Sequence, residues 1–496
     1  MDVPKAIIAG SGVAGMAVAI RLAVKGYSVS VYEKNSYPGG KLSAFEKDGF
    51  HFDAGPSLFT QPQNIEELFA LAGEPIADYF TYQPLSMACK YFFENGKTVS
   101  AYTNSHLFAH EMNEQLNEKP HVVAEYLQRS AKLYNNTANL FLNHSLHKSN
   151  TWINARFGKA LAAIKLPHLF KSLHQYNSRK FSSLEATQLF DRFATYNGSN
   201  PYQAPAIMSL IPHLEQNDGA FYPTGGMISI TNALYNLAKK KGVKFFFNSP
   251  VERIIHYENM ARGVVVNGEN ILADIVVSNL DIFTTYKRLL NNDAAANKVL
   301  KQERSSSAVI FYWGIGKTFS QLQLHNIFFS KDYKKEFDSI FNKRLVSDDP
   351  TVYVNITAKM EAGQAPHEKE NWFVMINAPA NSGQNWQTIK NELRVNVLNK
   401  LNRMLGTDVE GLIETEQVLD PVLMEAQTSS YMGALYGSSS NSRMAAFLRH
   451  ANFTSAIKGL YFCGGTVHPG GGIPLCLKSA KIVSEMVTVN NKKSKH

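Results

Sequence analysis

The stretch from Lys5 to Glu33, KAIIAGSGVAGMAVAIRLAVKGYSVSVYE, constrains this chain more than any other. It opens with a short apolar run, Ala6 to Ala9, passes through Gly10-Ser11-Gly12-Val13-Ala14-Gly15, and continues as a helix-compatible run to Lys25. Gly26-Tyr27 turns the chain into an alternating strand that ends on Glu33. The order is strand, glycine loop, helix, strand, acid. Gly10 suits the tight turn, Gly12 lets the backbone approach a pyrophosphate, and Gly15 lets helix and strand pack closely. The helix start at Val13 and Ala14 offers free N–H groups and a positive dipole end to an anion. Glu33 stands 18 residues past Gly15, where a carboxylate accepts hydrogen bonds from an adenosine ribose. A signal peptide would show a basic n-region and a small-residue cleavage site; neither is seen, and Arg21 breaks the apolar run.

At 496 residues the chain has room for two or three domains and a large core. No run of about 18 uncharged apolar residues stands outside the nucleotide fold, so no transmembrane helix is expected. Three cysteines, Cys89, Cys463 and Cys476, are too few for a disulfide framework and point to a reducing, cytoplasmic compartment. The formal charge of +9 is concentrated in one place. From Tyr126 to Leu184 there is no Asp or Glu but nine bases, Arg129, Lys132, Lys148, Arg156, Lys159, Lys165, Lys171, Arg179 and Lys180. An anionic membrane surface and nucleic acid are the partners such a stretch suits, and no motif supports nucleic acid.

Pro38-Gly39-Gly40-Lys41 and Gly49 to Pro56 read as tight loops close to a ligand, with a short strand near His51–Asp53. Asn64–Ala72 has helical spacing with Asn64 as cap. Cys89 to Tyr102 alternates around Asn95-Gly96, a hairpin signal that begins a second region. From His106 to Ile211 the chain reads as mostly helical. Within it, Thr151–Leu173 interleaves Trp152, Ile153, Phe157, Leu161, Ile164, Leu166, Leu169 and Phe170 with bases. That pattern suits an interfacial helix on anionic lipid, or an ordinary helix with its apolar face in the core. Ile228–Lys240 reads as a helix, and Val243–Asn248, Val251–Tyr257, Ala261–Asn267 and Ile275–Ser278 as strands of a second nucleotide-fold segment. Ser307–Gly314, Asn326–Phe329, Thr351–Ile356 and Trp372–Asn377 read as strands of another domain, with a helix at Ile389–Leu405. The stretch Gly459 to Pro474 repeats the opening theme as strand, glycine loop and helix, the helix running from Leu475 to Val487. Asn490–His496 is a basic tail. Two glycine-rich loop–helix units suit one long dinucleotide, FAD, with its adenosine half at Glu33 and its ring under Gly464–Ile473.

GSGVAG with Glu33, PGGK at 38–41, FDAGPSLF at 52–59, YPTGGM at 222–227 and LYFCGGTVHPGGGIPLCLKSAK at 460–481 resemble bacterial-type phytoene desaturases and their carotenoid desaturase relatives, over nearly the whole chain. The resemblance implies an α/β fold: a Rossmann-like FAD-binding domain of the amine-oxidase type, a mixed-sheet substrate domain and a helical membrane-facing lid. It divides the chain into FAD-binding parts at 1–85, 213–290 and 456–489. Substrate-domain parts fall at 86–105 and 291–455, the lid at 106–212 and the tail at 490–496. Carried over by position, Gly10, Gly12 and Gly15 hold the pyrophosphate and Glu33 the ribose. Lys41, where many members have arginine, reaches phosphate or ribose. Ser57 and Leu58 line the flavin, Val251 meets adenine through its backbone, and Asn279 ends the strand above the cofactor. Gly465, Gly472 and Ile473 contact the flavin half.

Within the family, FDAGPSLFTQP and Lys41 look most like the 1-hydroxycarotenoid 3,4-desaturases, with phytoene desaturation as the alternative. The resemblance implies loss of one hydrogen as hydride to flavin N5 and of its neighbour as a proton. It also implies a peripheral place on the cytoplasmic membrane and reoxidation by oxygen or a quinone. Asp53 and His468 are candidates for the proton acceptor, each with a structural role as the favoured reading. Two other classes remain: a flavin amine oxidase, and a non-catalytic prenyl carrier of the Rab GDP-dissociation inhibitor type. No metal is expected.

Overall fold

The computed structural model describes residues 3–152, 156–442 and 449–488, without the side chains at 150, 156, 157, 159 and 161. Ile153, the Phe157 and Leu161 side chains, and the tail from Asn490 to His496 therefore lie outside the described residues.

A five-stranded parallel sheet gathers strands from three separated stretches of chain. Its order is Lys244–Phe246, Ser28–Tyr32, Lys5–Ala9, Ile275–Ser278 and Leu460–Phe462. The central strands Lys5–Ala9 and Ile275–Ser278 are apolar except at Lys5 and Ser278, because helices cover one face and a second sheet the other, the arrangement that buries a parallel sheet on both sides. Helix Val13–Val24 packs against Ile473–Met486, Ile228–Lys240 and Gln63–Ala72. Its Ala17 and Ala19 are fully buried, and such small side chains let neighbouring backbones come close. Arg21, which interrupts this apolar helix in sequence, is buried and ion-paired with Glu67. On the opposite face, Val251–Tyr257, Met260–Val266 and Glu269–Leu272 form a three-stranded antiparallel sheet.

The second large sheet has seven strands, in the order Ile413–Leu419, Ser307–Ile315, Glu370–Ala378, Val352–Ile356, His325–Phe328, Met87–Phe92 and Thr98–Tyr102. Only the pairing of His325–Phe328 with Met87–Phe92 is parallel, which makes the sheet mixed. Its first hairpin turns at Asn95-Gly96, where Gly96 takes a φ of 82° that a side chain would strain. Helix Trp386–Leu405 covers one face through Leu393, Val397 and Leu401 against Trp313 and Val374. A helical layer from Ser105–Leu116 to Pro212–Gln216 covers the other, with Phe190 and Ile207 in one core with Tyr91 and Ile327. Among the described residues, no helix is long and apolar enough to cross a membrane.

Several details differ from the sequence expectations. The helix expected from Asn64 begins at Gln63, and the Asn64 amide donates to the Gln61 carbonyl instead of capping. The C-terminal helix starts at Ile473, two residues early, with Pro474 in its first turn where no intrahelical N–H is needed. Strands Ile413–Leu419 and Glu269–Leu272 were not anticipated.

Candidate functional site

Both glycine loops open on one cavity of about 1300 Å³. It exceeds the roughly 300–1,000 Å³ of a pocket for one small ligand. Gly10, Gly12, Val13, Ala14, Glu33 and Lys41 line it, as do Ser57, Leu58, Val251, Asn279, Gly465, Gly472 and Ile473. Gly15 does not. A Cβ there would overlap the Gly10 carbonyl oxygen, so this glycine serves the close approach of helix and strand.

Asn279, at the end of strand Ile275–Ser278, joins the two loops. Its Nδ2 donates to the Cys463 carbonyl at 3.1 Å, and its Oδ1 lies 2.7 Å from where a Gly12 Cβ would stand. A Cβ on Gly464 would sit 2.7 Å from the same amide's nitrogen. The glycines therefore let one asparagine bridge both ends of the chain. Met16 N–H bonds the Gly12 carbonyl, so the N–H groups of Val13, Ala14 and Gly15 precede the intrahelical ladder. No acidic side chain occupies that first turn, which leaves its positive end for a ligand's charge.

Glu33 is buried against the first loop. Its Oε2 accepts from the Ser11 N–H at 2.8 Å and hydroxyl at 2.9 Å, and its Oε1 from the Asn35 N–H at 3.0 Å. Ser11 thus fixes the carboxylate, a role its position between two glycines did not announce.

The electrostatics fit an anionic group. Lys41 is half-buried and donates to the Leu435 carbonyl at 2.7 Å; burial pulls its amine down to about 8. Arg449 is buried, donates to the Tyr436 and Gly465 carbonyls, and is lowered to about 10 by burial and then by the Arg304 charge. Arg304 pairs with Asp281 at 2.6 Å. Lys41 and Arg304 thus share one carboxylate, Asp281, and Arg449 adds a further positive charge beside the Gly465 loop. A pyrophosphate would relieve the depressed pKa values, so these residues suit FAD. Neither arginine had a local sequence signal, since their neighbours in space are far away in the chain.

Asp53 and His468 do not line the cavity. Both Asp53 oxygens accept from the start of helix Ile228–Lys240, from Met227 N–H at 2.8 Å and Ile228 N–H at 3.0 Å. The His468 Nε2 lies 2.9 Å from the His144 carbonyl, and burial lowers its ring to about 4. Both are braces, because each spends its polar atoms on backbone away from the cavity. Cys463 is buried, its thiol pushed up by burial, and also lies off the cavity.

From the loops the cavity continues between the mixed sheet and the helical layer. There Phe141, Leu142, Ile207, Ile211, Leu214 and Ile327 make an apolar wall. Polar groups also lie there: His325 and Tyr353 on the sheet, and the buried pair Arg192–Glu215 at 3.0 Å on the helical layer.

A parallel sheet with two glycine loops meeting over one long, positively charged cleft defines an FAD-dependent oxidoreductase. The chain belongs to the family of flavin containing amine oxidoreductases, whose pattern matches residues 13–488. It is 51% identical over 487 residues to a 1-hydroxycarotenoid 3,4-desaturase of Flavobacterium sp. (strain P99-3), covering 98% of this chain and 99% of the relative. It is 31% identical to a 4,4'-diapolycopene oxygenase of Methylomonas sp, covering 99% of each. An oxidoreductase from Methanosarcina mazei shares the fold, with a TM-score of 0.65 at 16% identity over 97% of this chain and 100% of that one.

Proposed function

We propose that this protein is a carotenoid desaturase that uses FAD to introduce the 3,4 double bond into a 1-hydroxylated acyclic or monocyclic carotenoid. The observation that carries this reading is the near full-length 51% identity to an enzyme of that name. A cleft that runs on from the loops into an apolar channel supports it. When bound, FAD supplies the two-electron acceptor for the hydrogens removed. Glu33 and Val251 hold its adenosine half, Lys41 and Arg449 its charge, and Ser57, Leu58, Gly465, Gly472 and Ile473 its ring half. The apolar wall excludes water and holds the polyene straight, which is the protein's share of such chemistry. No side chain is assigned as proton acceptor. Oxygen or a quinone takes the electrons onward. Anaerobic titration tests the class: a 1-hydroxylated polyene should bleach the flavin absorption and an amine should not. Bleaching by amines alone would contradict the reading.

Lys41 gives a pH dependence with a defined sign. Without a ligand its pKa is about 8; next to a phosphate it rises. FAD binding then takes up a proton above pH 8, so affinity should fall as pH rises from about 8 towards 10.5, by up to about tenfold per unit. Fluorescence titration should show this slope in the wild type and a flat profile in Lys41→Met.

The helical layer is the membrane-facing lid of this reading. Leu166, Phe170 and Leu184 are 72%, 57% and 85% exposed, with Trp152 at 42%. Lys165, Lys171, Arg179 and Lys180 lie on the same stretch, each worth about 1 kcal/mol near anionic lipid. A polyene cannot cross water cheaply: at roughly 0.8 kcal/mol per methylene-sized group, the transfer costs tens of kcal/mol. The doubly substituted Leu166→Asp/Phe170→Asp protein should therefore bind anionic liposomes at least about tenfold more weakly in co-sedimentation. Unchanged binding would remove this face from the lid.

A further inference from the structure

The polar groups in the channel include buried atoms with no partner among the described residues, and one of them belongs to His325. His325 lies in strand His325–Phe328, is 3% exposed and lines the cavity. Its Nδ1 lies 2.7 Å from the Tyr353 hydroxyl and 3.1 Å from Asn355 Nδ2. The Asn355 amide is oriented independently, because the same Nδ2 donates to the Leu324 carbonyl, which only accepts. Nδ1 therefore faces an obligate donor and must itself accept, which leaves the ring proton on Nε2. Burial holds the imidazole neutral, lowering it to about 3, and the Arg192 charge pushes the same way. Nε2 is buried and finds no acceptor among the described residues. A buried donor left unmade is costly, so an oxygen is expected against it.

The place of this donor matters. The Tyr353 hydroxyl is 2.7 Å from Ser57 Oγ, on the loop assigned above to the flavin half. Two hydrogen bonds thus tie the imidazole to the ring-facing loop. In a 1-hydroxylated carotenoid, three single bonds separate the oxygen from C3. That is an extended span of about 3.8 Å, the same as between consecutive Cα atoms. A group that binds the hydroxyl must therefore stand beside the reacting carbons, on the wall where His325 is found.

We propose that the His325 Nε2–H donates to the substrate's 1-hydroxyl oxygen, and that Tyr353 and Asn355 fix the imidazole for this task. His325 is then the residue that selects hydroxylated over plain polyenes and sets which bond meets the ring. The assignment rests on the desaturase reading above. The Arg192–Glu215 pair closes the same polar end, and the unpartnered Tyr196 hydroxyl also belongs to a residue lining the cavity.

FAD-loaded wild type, His325→Leu, His325→Gln and Tyr353→Phe would be given liposomes with a 1-hydroxylated acyclic carotenoid or the same polyene without its hydroxyl. Two readouts apply: kcat/KM, and equilibrium binding followed by the polyene absorption shift. The wild type should prefer the hydroxylated polyene by about 10- to 100-fold. His325→Leu should bring that ratio close to one in both readouts, the loss falling mainly on the hydroxylated polyene. His325→Gln, which keeps a donor, should retain part of the preference, and Tyr353→Phe should lower it severalfold. These two carry the comparison if the leucine variant does not hold FAD. A His325→Leu protein that keeps the preference, as it would if only water met Nε2, overturns the assignment. So does equal loss on both polyenes with the flavin spectrum intact. If the wild type neither binds nor converts either polyene, the desaturase reading itself falls and takes this proposal with it.

Discussion

Gly15→Ala should purify as a colourless protein. The added methyl group would overlap the Gly10 carbonyl oxygen and stand 2.9 Å from Asn279 Oδ1. The first contact is with backbone, which cannot rotate away as a side chain can. Helix Val13–Val24 must then move off strand Lys5–Ala9, and the N–H groups at its start lose their aim. Asn279 is displaced with it, so the second glycine loop is disturbed although it lies more than 440 residues away in sequence. FAD affinity should drop by at least about a hundredfold, equivalent to about 3 kcal/mol. Visible absorption after gel filtration and a fluorescence titration measure this. Gly158→Ala is the matched control: it lies exposed in helix Arg156–Ala163 with nothing among the described residues within 4 Å of a new methyl group. It should keep its flavin and gain up to about 1 kcal/mol in stability. A yellow Gly15→Ala protein with normal affinity would contradict the role given to that close approach.

Glu215→Ala should be among the most destabilising single changes in the molecule. Burial raises the Glu215 carboxyl and the Arg192 guanidinium pulls it back, so the two groups tolerate the interior only as a pair. Arg192 also donates to the Tyr91 hydroxyl at 2.7 Å and lies over the Tyr91, Phe193 and Tyr196 rings. Removing the carboxylate strands a cation among aromatics, at a cost of about 3–5 kcal/mol. Denaturant unfolding of the FAD-loaded protein should show this loss. Arg192→Met combined with Glu215→Leu should recover most of it, because no charge is left without a partner. A loss under about 1 kcal/mol for Glu215→Ala would mean that water already reaches the guanidinium.

What the sequence revealed follows from how locally each feature is written. The strand–loop–helix–strand order at Lys5–Glu33 is short-range, and its glycines have steric reasons that need no partner in view. The hairpin at Asn95-Gly96 and the apolar run of Ser307–Gly314 are equally local. Strand Ile413–Leu419 hid because Glu414 and Glu416 break its apolar face. The fold explains Glu416, which accepts from Trp313 Nε1 at 2.5 Å and from Arg394 Nε at 2.9 Å. From the residues alone the site was legible where it is built from glycines and one acid, and the family resemblance added Lys41, Ser57, Leu58, Val251, Asn279 and Ile473. Arg449, His325 and Tyr353 look like ordinary residues until the sheets bring them to one cavity, as Arg304 does until it meets Asp281. Asp53 and His468 show the opposite case: conspicuous beside glycine motifs, they brace backbone because their polar atoms point away from the cavity.

The most direct test of the account is product analysis with FAD-loaded protein and liposomes carrying a 1-hydroxylated carotenoid or, separately, phytoene. The account predicts a product lighter by two hydrogens, with its new double bond at C3–C4, from the hydroxylated polyene and little or none from phytoene. Conversion of phytoene alone would contradict it.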